Sequence, residues 1–280
     1  MSRLALPIVL LMLASQAMAA DPGYECLLEP WQVVEIRTPV DGVIASIGAQ
    51  RGDSVRRGQL LVELQSAAER TAVESARYRS KMQGAVATAQ NRIDYASRKL
   101  DRLNDLRKDN FTSAQSRDEA DAEKRLAESE LQSATEAREL ARIELQRAQE
   151  QLALRTVSAP FAGVVVERLL NPGDLAEAGS GRRSVLKLAQ IDPMRVDLAL
   201  PASLFGQVRP GARASISAIV GGGRFAAIVR HVDKVIDAAS STFVARLELP
   251  NPQGAVPGGS RCIATIDGLA NPTPRLRVTP

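Results

Sequence analysis

Apolar residues along this chain follow two different spacings. Over residues 65–153 they return every seven positions, and on either side they come in short β-branched runs separated by glycine and proline. Within the seven-residue region Ala120, Ala127, Ala134, Ala141 and Ala148 form one column, and Leu131, Leu145 and Leu152 fall four positions after three of them. This is the a/d stripe of a two-helix coiled coil. Upstream, Ala72, Val86, Ile93 and Leu100 occupy one heptad position, and Ala68, Met82, Ala89, Ala96 and Leu103 its partner. Two helices of about 43 residues are predicted, each reaching roughly 65 Å at 1.5 Å per residue. Between them DNFTS, Asp109 to Ser113, offers an asparagine and two cap-competent hydroxyls, so the chain reverses there. Asp118 and Glu119 then lie in the early turns of the return helix, where the helix dipole favours negative charge. The alanine column lets the two backbones approach closely. Seam positions held by Arg79, Arg107, Lys124 and Arg138 are tolerable because long stems reach water, and the other interspersed charges read as a solvated face.

The flanking runs repeat one another. TPVDGVIASIGAQRGDSVRRGQLLVEL, Thr38 to Leu64, is echoed by APFAGVVVERLLNPGDL, Ala159 to Leu175, with Pro39, Gly42, Val43, Gly52 and Asp53 each 121 positions ahead of Pro160, Gly163, Val164, Gly173 and Asp174. Gly42 and Gly163 precede β-branched runs, a turn leading into a strand. Gly52-Asp53 and Gly173-Asp174 mark a second turn, where glycine supplies positive φ. Each copy ends in another apolar strand, Leu60–Leu64 and Val185–Leu188. One copy is too small to bury a core, so the two are expected to face each other. They resemble the two half-motifs of a lipoyl or biotinyl domain, a flattened sandwich. Members of that family that carry a cofactor display a lysine in a hairpin between the halves. Here Gln65 to Ala153 fills the join and no lysine lies in such a hairpin, so no cofactor is expected.

After the second copy, strand-like runs at Met194–Leu200, Ala212–Ile219, Phe225–Val232, Thr242–Leu249 and Ser260–Ile266 alternate with turns such as Pro210-Gly211 and Gly221-Gly222-Gly223. A short helix is expected at Ala202–Val208. Strands at this spacing predict a small antiparallel barrel. The lone histidine, His231, sits on one of these strands and is given no chemistry, since metal sites gather several donors.

The first twenty residues, MSRLALPIVLLMLASQAMAA, place Arg3 before an apolar stretch from Leu4 to Ala14 and close on Ala17-Met18-Ala19. That is an export signal over 1–19, too short in its apolar part to span a bilayer. Outside the cytoplasm Cys26 and Cys262 are permitted to pair, with two free buried thiols as the alternative. The net charge of +4 is dispersed and aromatics make up only 3%, so nucleic acid is not an expected partner. No nucleophile–base set, metal-ligand cluster or phosphate loop stands out, and the chain is read as a non-enzyme.

At the helical reversal Arg102, Leu106 and Ser113 have the spacing Arg-x3-Leu-x6-Ser, and VDKVIDAASSTFVARLELPNPQGAVPGG follows the course of a particular β-barrel domain. Both resemble the periplasmic adaptors, or membrane fusion proteins, of tripartite efflux and secretion systems, and the likeness covers most of residues 33–266. The implied architecture is an elongated α+β chain: lipoyl-like halves at 33–64 and 154–190, a hairpin at 65–153, a barrel at 191–268 joined by the segment 20–32, and a tail at 269–280. The resemblance further implies a periplasmic protein, held at the inner membrane through its partners. Those partners would be an inner-membrane transporter, a trimeric outer-membrane channel and further copies of itself, around six by analogy. Arg102, Leu106 and Ser113 would contact the channel, and the barrel segment favours a resistance-nodulation-division pump over an ATP-driven one. Leu106 as seam and Ser113 as a helix cap are the purely structural reading of the same residues. Members of this family often carry a further membrane-proximal domain; only Ala20 to Gln32 and Leu269 to Pro280 lie outside the matched units. A lipoyl- or biotin-accepting carrier and a non-transport coiled-coil envelope scaffold are the competing functions.

Overall fold

The computed structural model describes residues 23–108, 112–179, 181–220 and 222–269. The expected export signal lies outside them, as does the tail beyond Leu269. The chain divides into two compact units, one running from Val34 to Leu188 and the other formed by the residues up to Val33 together with those from Ala189 onward.

In the first unit the two copies of the repeat interlock. The first contributes β2 (Gly42–Ile47), β3 (Ser54–Val55) and β4 (Leu60–Leu64); the second contributes β5 (Thr156–Ser158), β6 (Gly163–Arg168) and β7 (Leu175–Ala176). Strand β2 pairs with its own β4, but also with β7 of the other copy, Gly42 opposite Ala176. Strand β3 pairs across to β6, Ser54 opposite Val164. The exchange is quasi-symmetric down to single hydrogen bonds. Gly52 N–H donates to Val165 O at 2.8 Å and Val165 N–H to Asp53 O at 3.0 Å; 121 positions away in the sequence, Gly173 donates to Ile44 O at 2.8 Å and Ile44 to Asp174 O at 2.9 Å. Both turn glycines have φ of +93°, which a Cβ would strain. In each turn the aspartate carboxylate accepts a backbone N–H three residues back, Gln50 for Asp53 (2.7 Å) and Asn171 for Asp174 (2.8 Å). The enclosed core draws Ile44, Leu61 and Leu64 from one copy and Val165, Leu186 and Leu188 from the other, all almost fully buried. At about 1.5–3 kcal/mol per buried aliphatic side chain, neither copy would keep this core alone.

The join between the copies is helical: α1 (Ala67–Lys81), α2 (Gly84–Lys108) and α3 (Ala114–Ala153). The outgoing arm is two helices rather than the single one its heptads predict. Met82 takes an extended backbone, φ −65° and ψ 123°, and two residues later α2 opens on Gly84, a poor helix former. The interruption re-phases the seam. Beyond it the predicted Ala89, Ala96 and Leu100 are buried and Val86, Ile93 and Leu103 half-buried. Before it Val73 and Ala76 are buried instead of the predicted Ala68 and Ala72, which are exposed, as is Met82. On α3 the alanine column behaves as its spacing predicts, with Ala120, Ala127 and Ala148 buried and Ala134 and Ala141 half-buried. Ion pairs run along the flank of the hairpin, Lys99–Glu123 at 2.6 Å, Arg92–Glu130 at 2.5 Å and Arg79–Glu144 at 3.9 Å.

The second unit is a closed six-stranded barrel. Its strands are β1 (Tyr24–Ile36) as far as Val33, β8 (Leu186–Pro201) from Ala189 onward, β9 (Arg213–Ala218), β10 (Arg224–Val232), β11 (Thr242–Leu249) and β12 (Ser260–Ile266), in the order β1-β12-β9-β10-β11-β8 with β8 returning to β1. Closure leaves no edge strand in the ring. Alternation fills the interior: Met194, Val196, Leu198 and Leu200 of β8 face inward beside Phe243, Ala245, Leu247 and Leu249 of β11. The helix expected at Ala202–Val208 is only a three-residue 3-10 turn, Ala202–Leu204, after which Phe205 meets Phe243 edge-on at 5.4 Å. Cys26 and Cys262, directly opposed on β1 and β12, are joined as a disulfide.

Candidate docking site at the hairpin turn

The turn of the hairpin follows from local chemistry. Helix α3 starts where Ser113, in extended conformation, accepts a hydrogen bond from Ser116 N–H at 3.1 Å, satisfying one of the unpaired donors of the first turn. The Ser113 and Ser116 hydroxyls also lie 2.9 Å apart. Asp109, Asn110 and Phe111, part of the expected reversal, lie outside the described residues.

Arg102 and Leu106 stand one turn apart on α2, so they share a helical face. Both are exposed, and so is Ser113. Leu106 is 45% exposed and therefore does not close the seam, whereas Leu103 on α2 is half-buried and Ala120 on α3 is buried. Among the described residues no hydrogen bond joins Ser113 to Arg102, since the Ser113 hydroxyl is engaged with Ser116, and Arg102 forms no ion pair with a described carboxylate. One turn below, Lys99 is held to Glu123, whose hydrogen bond first and charge second raise the lysine pKa. The turn thus presents a guanidinium and an apolar side chain on a rigid helix, with a hydroxyl already engaged as a cap. Such a surface suits docking to carboxylates or carbonyls beside an apolar patch.

In the barrel, the residues DAASSTFVARLELPN, Asp237 to Asn251, fix turns. Asp237 Oδ1 accepts from Ala239 N–H at 2.8 Å and Ser240 N–H at 3.3 Å. Asn251 is 3% exposed; its amide nitrogen donates to Ile191 O and Val256 O, and its oxygen accepts from Val256 N–H, each at 3.1 Å. The run is recognisable in the sequence but its purpose is not, because Asn251 ties its own loop to Ile191 of β8, 60 residues away, which only the fold brings beside it. Arg155, at the root of the hairpin, is marked by no periodicity at all. No group of three or more metal-ligating side chains occurs among the described residues, and no described helix is long and apolar enough to cross a membrane.

Known proteins share this arrangement. The model of the CzcB-like, barrel-sandwich hybrid domain matches residues 32–188. Multidrug resistance protein MdtE of Escherichia coli (strain K12) is 27% identical over 251 residues, covering 85% of this chain and 62% of that protein. Cation efflux system protein CzcB of Alcaligenes sp. (strain CT14) is 26% identical over 214 residues, covering 76% of this chain and 38% of that protein. The chain thus spans less than two thirds of the length of these relatives. The crystal structure of MacA from Actinobacillus actinomycetemcomitans superposes with a TM-score of 0.71 at 20% identity, over 87% of this chain and 77% of that one, a likeness of fold. With more than half of its residues inside the family model, the chain belongs to the CzcB-like barrel-sandwich hybrid family of membrane fusion proteins, or periplasmic adaptors.

Proposed function

We propose that the chain is the periplasmic adaptor subunit of a tripartite export system, bridging an inner-membrane transporter and an outer-membrane channel. The observation that carries this is the strand exchange between two repeat copies that a helical hairpin separates in sequence. It roots a lever in a sandwich without requiring a catalytic group. One relative is named for multidrug resistance and another for cation efflux, which suits a part that shapes a conduit rather than one that recognises cargo. The role is steric and non-catalytic. Copies of the chain assemble, six by analogy, into a funnel on the pump, and the exposed Arg102 and Leu106 meet the trimeric channel with Ser113 beside them. The resemblance of the barrel segment favours a resistance-nodulation-division pump. The protein acts in the periplasm, where the Cys26–Cys262 disulfide forms; alkylation under non-reducing conditions is expected to label neither cysteine.

The test is deletion and complementation. Loss of the gene is expected to raise sensitivity to exported compounds, the wild-type chain to restore export, and Arg102→Asp to fold normally without restoring it. Full export by Arg102→Asp would remove the channel contact from the proposal, and unchanged sensitivity on deletion would remove the adaptor role.

A further inference from the structure

We propose that Arg155 is a positioning residue that fixes the direction in which the helical hairpin leaves the sandwich. It stands just past the end of α3, at the root of the returning arm. Its guanidinium joins three parts of the chain. Nη2 pairs with Glu69 Oε1 of α1 at 2.6 Å, and Nη1 donates to the backbone oxygen of Asp41, in the turn before β2, at 2.8 Å. Its backbone is tied as well, since its carbonyl accepts from Leu64 N–H at 2.8 Å, at the end of β4. Asp41 in turn accepts the Ala178 N–H on Oδ1 at 2.6 Å, which extends the chain of contacts to the second repeat copy. Both charged partners are largely shielded, with side chains 24% and 20% exposed.

The site is shaped for this side chain. A Cβ on Gly42 would lie 2.8 Å from Arg155 Nη1 and 3.2 Å from a Leu64 methyl. Gly42 does not have positive φ, so its missing side chain serves the guanidinium rather than the turn that its place in the repeat suggests. The other arginine at the root, Arg70 on α1, reaches Glu63 at 2.6 Å and Ser66 at 3.1 Å, and is 63% exposed. Those partners lie within seven residues of it, so that contact holds only the start of α1 to the strand before it. Arg155 instead binds both arms to the sandwich at one point, and its planar fork serves two acceptors at once, which an ammonium group does less well. Small angular freedom at a root becomes a large displacement at a hairpin turn roughly 60 Å away, given 1.5 Å per residue along α3.

The experiment uses the full chain with spin labels at Arg57→Cys in the sandwich and Glu136→Cys on α3, both exposed positions. The wild-type background is expected to give one narrow distance distribution. Arg155→Ala is expected to broaden it about twofold or more through local loosening of the root, while the barrel remains folded. Arg155→Lys, which keeps the charge but not the fork, is expected to fall between the two. An Arg155→Ala distribution as narrow as wild type would overturn the proposal. Should Arg155→Ala fail to fold, Gly42→Ala decides: its methyl displaces Nη1 from Asp41 while leaving Glu69 in reach, so broadening supports the proposal and an unchanged width overturns it. The measurement needs no transport, so the positioning role and the adaptor role stand or fall separately.

Discussion

The barrel and the hairpin are held together by different forces. The barrel surrounds a continuous core in which Leu28, Met194, Leu198, Ile216 and Leu247 are wholly shielded from water. The corresponding cluster at the base of the hairpin is Val73, Ala76 and Ala148, with Leu145 and Leu152 only partly covered. A barrel strand contributes little until distant strands close around it, whereas a helix satisfies its own backbone and needs only a narrow seam. Damage should therefore remain local in the hairpin and spread through the barrel.

The largest effect is expected from Phe243→Ala, about 3–5 kcal/mol by loss of a buried ring and the cavity left behind. Trp31, the only tryptophan, lies on β1 and should report the loss in its fluorescence during denaturant unfolding, while the helical circular dichroism is less affected. Ala127→Leu tests the hairpin in the opposite sense: overpacking the alanine column should cost about 1–3 kcal/mol, read in the helical signal with the tryptophan transition in place. If both probes shifted together, the two regions would not be energetically distinct.

A smaller pair of variants separates structure from docking at the turn. Ser113→Ala is expected to cost about 1 kcal/mol by removing the cap to Ser116 N–H. Ser113→Asp keeps a capping oxygen, so melts should stay close to wild type while cross-linking from Leu106→Cys to an outer-membrane channel weakens. The smallest effect belongs to Lys99→Met. Because Glu123 raises the Lys99 pKa, the contribution of the pair is complete at neutral pH and disappears only as pH climbs above the ordinary lysine value of 10.5 and through the raised folded-state value. Thermal melts at neutral and strongly alkaline pH should therefore differ more for the wild type than for Lys99→Met, and high salt should narrow the gap.

The heptads placed the hairpin, and the alanine column on α3 was legible because a helix seam is set by residues three and four apart. The offset of 121 residues likewise located both turn glycines. The break at Met82-Gln83 was not legible, since Met82 fits the heptad and only its backbone conformation shows that the seam changes phase there. Leu106 misled for a related reason. Spacing placed it near the seam, but it falls one residue ahead of the heptad position that Arg107 holds and is exposed to solvent.

Local pattern thus determined which residues form helices, strands and turns, because period and turn chemistry act between near neighbours in the chain. Only the tertiary structure decided that the repeat copies exchange strands, that β1 closes the barrel against β8 and β12, and that Gly42 makes room for Arg155. Those arrangements join residues more than a hundred positions apart, and what selects them is burial and hydrogen-bond satisfaction in the assembled fold.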